Sequence, residues 1–166
     1  LPLDNLRVGV VIQRMIDGDV SGVLFTANPT NGVREQCLLT AAWGQGEGIV
    51  AGICNTDEFV WSHDGNEVTV TTADKDLKVI RKPDGSPGTD EVEVAEGQRH
   101  IRCLSEAQVR KICSEGIRIA TELGSPQDIE WTIESDRLYF LQSRPITSLP
   151  VPENEDGPTV VWDNSN

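Results

Sequence analysis

The chain has 166 residues, of which 37% are hydrophobic and 25% charged, a length and composition typical of one soluble globular domain with a real core and not of a disordered chain. No apolar run reaches the roughly eighteen residues of a membrane-spanning helix, so we expect no membrane span. The formal net charge of -13, with dispersed arginines and lysines, argues against binding to nucleic acid or to an anionic membrane surface.

The first part of the chain predicts three adjacent strands. Residues 8–16 are almost entirely apolar on both strand faces, which is typical of a central buried strand. A polar turn at residues 17–19 leads to a second strand at residues 21–27, and we expect these two strands to form a hairpin. A third strand is predicted at residues 37–43. Three neighbouring strands indicate a mostly antiparallel sheet.

Residues 44–48 read Gly-Gln-Gly-Glu-Gly and suggest two interpretations. Three glycines would let backbone amides approach a phosphate group. However, the segment lacks the Gly-Lys-Ser/Thr ending of a P-loop and the spacing of a dinucleotide-binding fingerprint. A simple turn at the end of a strand therefore remains the alternative.

The middle of the chain predicts a hairpin and then an irregular segment. Residues 59–72 have alternating β-branched and polar residues around Asp64-Gly65-Asn66, which favours a hairpin at a half-exposed sheet edge. Residues 74–100 are rich in Lys, Asp, Glu and Gly, with a Pro/Gly-rich centre at residues 83–88. We expect a mobile loop or excursion there, with room for one strand at residues 91–94.

A long helix is predicted between Ser105 and Gly124. Ser-Glu-Ala-Gln at residues 105–108 is a capping-box start, and Gly124 is a typical stop. Between them the apolar or small residues at helical spacing are Val109, Ile112, Gly116, Ile119 and Leu123. This stripe is expected to pack on the sheet, which completes an α+β fold.

Residues 125–147 alternate between polar and apolar in two runs and predict an antiparallel hairpin that turns at residues 135–137. A three-residue turn places Glu130 directly opposite Gln142, and opposed residues point to the same side of a sheet. A two-residue turn would scatter the polar and the apolar residues over both faces. Burial therefore favours the odd-numbered turn.

The two faces of this predicted hairpin differ in chemistry. The core face would carry Ile129, Trp131, Ile133, Tyr139 and Leu141. The other face would carry Asp128, Glu130, Gln142 and Arg144. Carboxylate and amide oxygens side by side, with a guanidinium nearby, are suited to a phosphate-bound magnesium ion. The alternative is an ordinary solvated face of an edge hairpin.

The two ends of the chain, the cysteines and the histidines lead to further expectations. Neither an initiator methionine nor a basic and then apolar leader is present at the start, so we expect an excised fragment without a signal peptide. Residues 148–159 are proline-rich and acidic and predict a linker, and residues 160–166 predict the start of a truncated following domain. The four cysteines show no metal-binding spacing and are expected to be buried free thiols in a reducing cytoplasm. We expect both histidines on the surface.

Several motifs resemble the ATP-grasp nucleotide-binding domain of the phosphoenolpyruvate synthase, pyruvate phosphate dikinase and rifampin phosphotransferase family. The most specific are Asp-Ile-Glu-Trp at residues 128–131 and Leu-Gln-Ser-Arg-Pro-Ile-Thr at residues 141–147. Val-Ile-Gln-Arg-Met-Ile at residues 11–16, Ser-Gly-Val-Leu-Phe-Thr-Ala-Asn-Pro at residues 21–29 and Ala-Trp-Gly-Gln-Gly-Glu-Gly-Ile-Val-Ala-Gly at residues 42–52 follow the same family order. The resemblance covers nearly all of this chain but only a fraction of such an enzyme.

The resemblance implies that residues 1–147 are the second half of an ATP-grasp fold, a C-terminal subdomain that binds nucleotide and Mg²⁺. Glu130 and Gln142 match the residues that hold the magnesium of ATP, and Arg144 matches an arginine that contacts phosphate and would act in catalysis.

Three further residues are implied to lie at the nucleotide. Gln13 and Met15 match the adenine pocket, although Gln13 could also be a strand polar group satisfied by a neighbour and Met15 core filler. Glu47 matches a glutamate that lines the nucleotide site.

The same resemblance implies an activity and its partners. Phosphoryl would pass from ATP to a catalytic histidine on another domain and then to pyruvate, as in a synthase-like dikinase, or to an antibiotic hydroxyl, as in a rifampin phosphotransferase. The partners would be the N-terminal ATP-grasp subdomain and the phosphohistidine domain of the same enzyme, so this chain alone should be almost inactive. A non-catalytic binding module built on the ATP-grasp scaffold is the competing hypothesis.

Overall fold

The computed structural model describes residues 9–64 and 66–151. In chain order the elements are β1 (Val20–Phe25), β2 (Gln36–Trp43), α1 (Glu47–Val50), β3 (Asp57–Ser62), β4 (Glu67–Thr71), β5 (Leu77–Arg81), β6 (Thr89–Glu93), α2 (Glu96–Arg99), α3 (Glu106–Leu123), β7 (Gln127–Glu134) and β8 (Arg137–Pro145). Six strands form one antiparallel sheet in the order β4-β3-β2-β1-β7-β8, and β5 pairs with β6 in a separate two-stranded sheet. The predicted α+β fold with a mostly antiparallel sheet is confirmed. No helix within the described ranges is long and apolar enough to cross a membrane.

The helix α3 covers the centre of the large sheet and contacts β1, β2, β3 and β7. Ser105 and Gln108 form the predicted capping box, and Gly124 ends the helix in a left-handed conformation with φ 73°. Val109, Ile112 and Gly116 are buried as predicted. Burying one large aliphatic side chain in such an interface contributes about 1.5–3 kcal/mol. Leu123 was expected in the same stripe but is exposed, because it lies in the last turn beyond the buried residues of the helix.

The predicted first strand is wrong. Residues 9–18 form no strand, and Val10, Val11 and Ile12 are more than four-fifths exposed, at 81%, 84% and 95%. The predicted hairpin with the next strand is therefore absent, because β1 already pairs on its two edges with β2 and β7. The strands predicted at residues 21–27 and 37–43 are confirmed as β1, with both ends shifted, and as β2, which begins one residue earlier and ends as predicted.

Residues 74–100 are folded, which corrects the predicted mobile loop. The strands β5 and β6 pair antiparallel, and Val79 in β5 is only 2% exposed. Val79 also forms a parallel bridge with Gly44, so this hairpin is joined to the end of β2. Composition could not predict this, because the partner of Val79 lies far away in the sequence.

A buried ion pair fixes the start of the same segment. The Nζ atom of Lys75 lies 2.6 Å from Oδ1 of Asp57, and both side chains are 0% exposed. Asp57 also accepts hydrogen bonds from the backbone N–H groups of Ala73 and Cys103. One carboxylate thus joins β3 to the segments that precede β5 and α3.

The β3–β4 hairpin is confirmed at the edge of the large sheet. Its turn includes residue 65, which is outside the described residues. At the other end of the chain, residues 148–151 belong to no helix or strand. The rest of the predicted linker and the predicted start of a following domain lie outside the described residues.

The β7–β8 hairpin has the predicted pairing of Glu130 with Gln142, but a different turn produces it. Ser135 and Asp136 form a two-residue turn with φ angles of 48° and 65°, so Glu134 pairs with Arg137. The predicted three-residue turn is therefore wrong. A β-bulge restores the register, because Trp131 pairs with Phe140 while Glu130 pairs with Gln142. Leu141 is the extra residue.

The bulge also changes which residues of β8 face the core. Leu138 and Phe140 pack against the core cluster that contains Ile129, Trp131 and Ile133. The prediction that Tyr139 and Leu141 belong to this core face is wrong. With a two-residue turn, the residues of β8 before the bulge have the opposite alternation to the one predicted.

The cysteines and histidines lie as predicted. All four cysteines are buried free thiols. Burial raises the pKa of the Cys103 and Cys54 thiols, and a hydrogen bond with Cys37 together with burial raises the pKa of Cys113. These neutral thiols are poor nucleophiles. His63 and His100 are exposed.

Candidate functional site

The polar face of the β7–β8 hairpin carries two directly opposed pairs. Glu130 faces Gln142, and Asp128 faces Arg144. Because each residue of an opposed pair points to the same side of the sheet, the four predicted side chains share one face. Both β7 and β8 are long strands in the sheet, so this face is supported by a rigid backbone.

Arg144 and Asp128 form an ion pair at this face. The Nε and Nη2 atoms of Arg144 lie 2.8 Å and 2.7 Å from the same oxygen of Asp128. The Asp128 side chain is 11% exposed and that of Arg144 is 67% exposed. Asp128 therefore orients the guanidinium while part of it remains open to solvent. No ion pair within the described residues involves Glu130.

A cavity of about 430 Å³ lies beside this face. This volume is within the range of about 300–1,000 Å³ that is usual for small-molecule sites. Its apolar wall consists of Met15, Val50, Ala51 and Leu141. Its polar wall consists of Gln45, Glu47, Arg81, Thr89 and Glu130, together with the backbone at Gly46. Such a site offers an apolar surface for a flat ring and a few polar groups that fix its orientation.

Three of the predicted site residues meet at this cavity. Met15, Glu47 and Glu130 come from the exposed N-terminal segment, α1 and β7, and all three line it. Met15 is 66% exposed, so the alternative that it is core filler is wrong. Gln142 is brought to the same region through its pairing with Glu130.

The other two predicted residues lie apart from it. Gln13 is exposed and does not line the cavity. Arg144 lines a separate cavity of about 430 Å³, together with Asp128, Phe25 and Pro29.

Leu141 lines the cavity, and the β-bulge adds Gln142 to the same side of the hairpin. A regular pairing continued from Phe140 would place Leu141 opposite Glu130 and would turn Gln142 to the other side of the sheet. Bulges commonly redirect one side chain next to a functional site. Here the redirected side chain is that of Gln142, which lies opposite Glu130, while Leu141 forms part of the apolar wall.

The glycines at residues 44–48 allow close packing of the β5–β6 hairpin. Gly44 has φ +83°, and a Cβ atom on it would lie 2.2 Å from the carbonyl oxygen of Val79. A Cβ atom on Gly48 would lie 2.5 Å from Sγ of Cys54 and 2.8 Å from Cγ2 of Val79. The backbone N–H of Gln45 donates to the carbonyl of Val79 at 2.8 Å. Gly44 and Gly48 therefore have a packing role, as suits a turn at the end of a strand, while the backbone of Gly46 lines the cavity.

The β5–β6 hairpin supplies two residues that sequence reasoning missed. Arg81 and Thr89 line the cavity, and Oγ1 of Thr89 donates a hydrogen bond of 2.9 Å to Oε2 of Glu47. Residues 74–100 show no motif and a loop-like composition, so no signal in the sequence pointed to either residue. The docking of Val79 against Gly44 and the hydrogen bond from Thr89 to Glu47 bring them to the site.

The side chains at this site limit the kind of metal ion that could bind there. Within the described part of the chain, no group of three or more His, Cys, Asp or Glu residues could hold a metal ion. The set that does occur is one carboxylate, Glu130, beside one side-chain amide, Gln142. Magnesium often takes one or two protein oxygens and completes its shell with phosphate and water, so this pair fits a nucleotide-bound Mg²⁺ and not a metal held by protein alone.

Comparison with known proteins places this chain in a family. Residues 1–160 match the family model described as pyruvate phosphate dikinase, AMP/ATP-binding domain. The chain is 36% identical over 160 residues to a rifampicin phosphotransferase of Bacillus cereus, a match that covers 96% of this chain and 18% of that protein.

Further relatives carry two different names. A rifampicin phosphotransferase of Streptomyces sviceus is 40% identical over 153 residues, covering 92% of this chain and 17% of the relative. A phosphoenolpyruvate synthase of Pyrococcus furiosus is 37% identical over 152 residues, covering 87% of this chain and 19% of the relative. The chain thus spans less than a fifth of the length of these relatives.

Proposed function

Because the chain belongs to the pyruvate phosphate dikinase AMP/ATP-binding domain family, we propose that it forms the metal-holding half of an ATP site in an ATP-dependent phosphotransferase. In this proposal residues 1–147 are the C-terminal subdomain of an ATP-grasp fold. Residues 148–159 are a linker, and residues 160–166 begin the next domain. ATP and Mg²⁺ are the cofactors.

One observation carries the proposal, namely the direct pairing of Glu130 with Gln142 at the edge of a cavity of nucleotide size. The carboxylate of Glu130 and the amide oxygen of Gln142 would hold the Mg²⁺ of ATP. Asp128 does not compete for this role, because Arg144 engages it in an ion pair. Magnesium supplies charge neutralisation on the transferring phosphate.

Arg144 would contact the phosphate chain of ATP. Its guanidinium has five N–H donors, and only those on Nε and Nη2 face Asp128. The remaining donors can neutralise charge that develops during phosphoryl transfer. Met15 and Glu47 would line the nucleotide site, and the resemblance of residues 11–16 to the family assigns Gln13 to the same site.

In the complete enzyme, phosphoryl would pass from ATP to a catalytic histidine on another domain and then to pyruvate. The N-terminal ATP-grasp subdomain would supply the opposite wall of the site and the phosphohistidine domain would receive the phosphoryl group. This chain alone would therefore be almost inactive. Positioning and charge neutralisation do most of the work in such transfers.

A rifampicin phosphotransferase-like activity is the second candidate. The similarity of the chain to rifampicin phosphotransferases and to a phosphoenolpyruvate synthase is nearly equal, at 36–40% and 37% identity. The residues of this chain therefore do not favour one acceptor over the other.

Calorimetric titration of the full-length protein with ATP tests the proposal, with Mg²⁺ and with EDTA. We expect Glu130→Gln to weaken Mg²⁺-dependent ATP binding at least about tenfold, because a charged metal ligand is lost, which corresponds to about 1.4 kcal/mol. The control Glu122→Gln, on an exposed position of α3, should bind like wild type. Equal affinities of Glu130→Gln and wild type would refute the metal assignment.

A second measurement identifies the acceptor. The full-length protein is incubated with labelled ATP and either pyruvate or rifampicin, and labelled protein and products are separated. Labelling of the protein followed by transfer to pyruvate supports the dikinase. Transfer to rifampicin supports the second candidate, and ATP binding without any transfer supports a non-catalytic module.

A further inference from the structure

We infer that the β5–β6 hairpin is a wall of the nucleotide site and that Arg81 contacts the phosphate groups of the nucleotide. This inference rests on the proposed function, and it assigns a role to a segment whose sequence carries no motif. It concerns a cationic residue of this chain other than Arg144.

The hairpin is held firmly against the cavity. Val79 is buried, forms a parallel bridge with Gly44 and accepts a hydrogen bond from the N–H of Gln45. Any side chain at Gly44 would collide with the Val79 carbonyl. Because the contact is made by backbone at close range, the position of β5 relative to Glu47 is well defined.

Arg81 and Thr89 occupy the same end of this hairpin. They are opposed cross-strand partners, so their side chains point to the same side, and both line the cavity. Thr89 donates a hydrogen bond to Glu47, which lies on α1. This hydrogen bond places Arg81 beside the part of the cavity where Glu47 lies.

The charges of the cavity favour a cation near Glu47, in addition to the Mg²⁺ proposed at Glu130. Glu47 and Glu130 bring two carboxylates to its wall, whereas Arg81 is the one cationic side chain among the described residues that line it. A polyphosphate would be repelled by the carboxylates, and the formal net charge of the chain, -13, adds to this repulsion. A guanidinium offers charge and paired N–H donors that match phosphate oxygens.

Arg81 is also available for a ligand. The arginine ion pairs within the described residues involve Arg99, Arg110, Arg118 and Arg144. Glu47 receives its hydrogen bond from Thr89, not from Arg81. A structural salt bridge therefore does not account for a guanidinium at this position.

Equilibrium dialysis of the full-length protein with labelled ATP, ADP and adenosine, in the presence of Mg²⁺, tests the inference. Arg81→Gln should weaken ATP and ADP binding about tenfold, which corresponds to about 1.4 kcal/mol, and should leave adenosine binding within about twofold. Lys82→Gln removes the same charge from the adjacent position of the hairpin, and Lys82 does not line the cavity. It should change none of the three affinities by more than about twofold.

The outcomes separate this inference from the proposed function. If wild type binds ATP and Glu130→Gln weakens it but Arg81→Gln does not, only the role of Arg81 is overturned. A loss for adenosine as large as for ATP overturns the phosphate contact. A wild-type protein that binds no ATP overturns both. If Arg81→Gln does not fold, Arg81→Lys is measured instead. Lysine keeps the charge but lacks the paired N–H donors, so the variant should still bind ATP measurably more weakly than wild type, and unchanged ATP binding would overturn the role of Arg81.

Discussion

Glu130 of β7 lies directly opposite Gln142 of β8, and the register that joins them includes Leu141 as an unpaired extra residue. The two-residue turn would by itself place a different residue opposite Glu130. That residue is Leu141, and the bulge adds Gln142 to the same side while Leu141 still lines the cavity. The local irregularity therefore aligns the two residues that we propose as ligands of Mg²⁺.

We predict that Gln142→Ala in the full-length protein abolishes ATP-dependent phosphoryl transfer and leaves the fold intact. Gln142 is exposed, so its truncation should change the free energy of unfolding by no more than about 0.5 kcal/mol. If Gln142 supplies an oxygen ligand as proposed, its loss should instead weaken the binding of nucleotide-bound Mg²⁺. Labelling of the protein by ATP measures activity, and a thermal melt measures stability.

Thr121→Ala is a suitable control, since it also truncates an exposed polar side chain but lies on α3. It should retain the activity of wild type. Near-normal activity of Gln142→Ala would show that Gln142 is not a metal ligand.

The sequence predicts correctly those elements whose ends depend on residues close together in the chain. Ser105, Gln108 and Gly124 set the ends of α3 through contacts within one turn of the chain, and the helix begins and ends as predicted. The pairing of Glu130 with Gln142 was also predicted, although from the wrong turn. A three-residue turn without a bulge and a two-residue turn with a bulge give the same pairing there, so the alternation of residues could not distinguish them.

The predictions that failed depended on distant partners. Residues 8–16 have the composition of a buried strand, but composition does not reveal that β1 is already paired on both edges. Lys75 and Val79 were predicted to lie in a loop. Instead, Lys75 forms a buried ion pair with Asp57, and Val79 forms a β-bridge with Gly44. Arg81 was missed at the candidate site for the same reason.

We predict that thiol reactivity will reveal the burial of the four cysteines. Burial, and for Cys113 first of all the hydrogen bond with Cys37, raises the thiol pKa above its ordinary value of 9.0 for Cys54, Cys103 and Cys113. The folded protein should thus react slowly with iodoacetamide at about pH 8, whereas all four thiols should react in urea. Mass spectrometry of the alkylated protein counts them.

The raised pKa values of these thiols should make the stability of the domain depend on pH. An acidic group whose pKa is raised by folding binds its proton more tightly in the folded state, so the domain should lose stability as the pH rises above about 9, the unfolded value. Melting curves at increasing pH measure this loss, and Cys103→Ala should make it shallower. Rapid alkylation of the folded protein would contradict the burial of the thiols. An unchanged dependence of stability on pH in Cys103→Ala would contradict the raised pKa of Cys103.

We predict that Asp57 and Lys75, which form the buried ion pair, contribute unequally to the free energy of unfolding. Asp57→Asn should cost about 3–5 kcal/mol, because Lys75 is left buried without a counter-charge and has only the carbonyl of Ala73 as a partner. Lys75→Met should cost less, since the Asp57 carboxylate still accepts hydrogen bonds from the N–H groups of Ala73 and Cys103. Urea unfolding followed by tryptophan fluorescence gives both free energies.

The double variant provides the control for this pair. Asp57→Asn combined with Lys75→Met removes both charges, so it should be more stable than Asp57→Asn alone. If Asp57→Asn proves as stable as Lys75→Met, the backbone hydrogen bonds to Asp57 contribute less than the geometry implies.

We predict that Gly44→Ala is far more destabilising than Gly52→Ala, although both glycines have left-handed backbones, with φ +83° and +71°. The conformational penalty of alanine at a positive φ is about 1–2 kcal/mol and is shared by the two sites. Only at Gly44 would the new Cβ atom lie 2.2 Å from the Val79 carbonyl, whereas no atom lies within 4 Å at Gly52. Gly44→Ala must therefore push β5 away from the sheet, and this also moves Arg81 and Thr89 from the cavity.

Two measurements on the same pair of variants test this relationship. Urea unfolding should show a larger loss for Gly44→Ala than for Gly52→Ala by at least about 1 kcal/mol, as expected for a core clash. Hydrogen exchange should show faster exchange in β5 and β6 for Gly44→Ala alone. If both variants unfold at the same urea concentration with unchanged exchange in these strands, the close contact between Gly44 and Val79 does not hold the hairpin against the site.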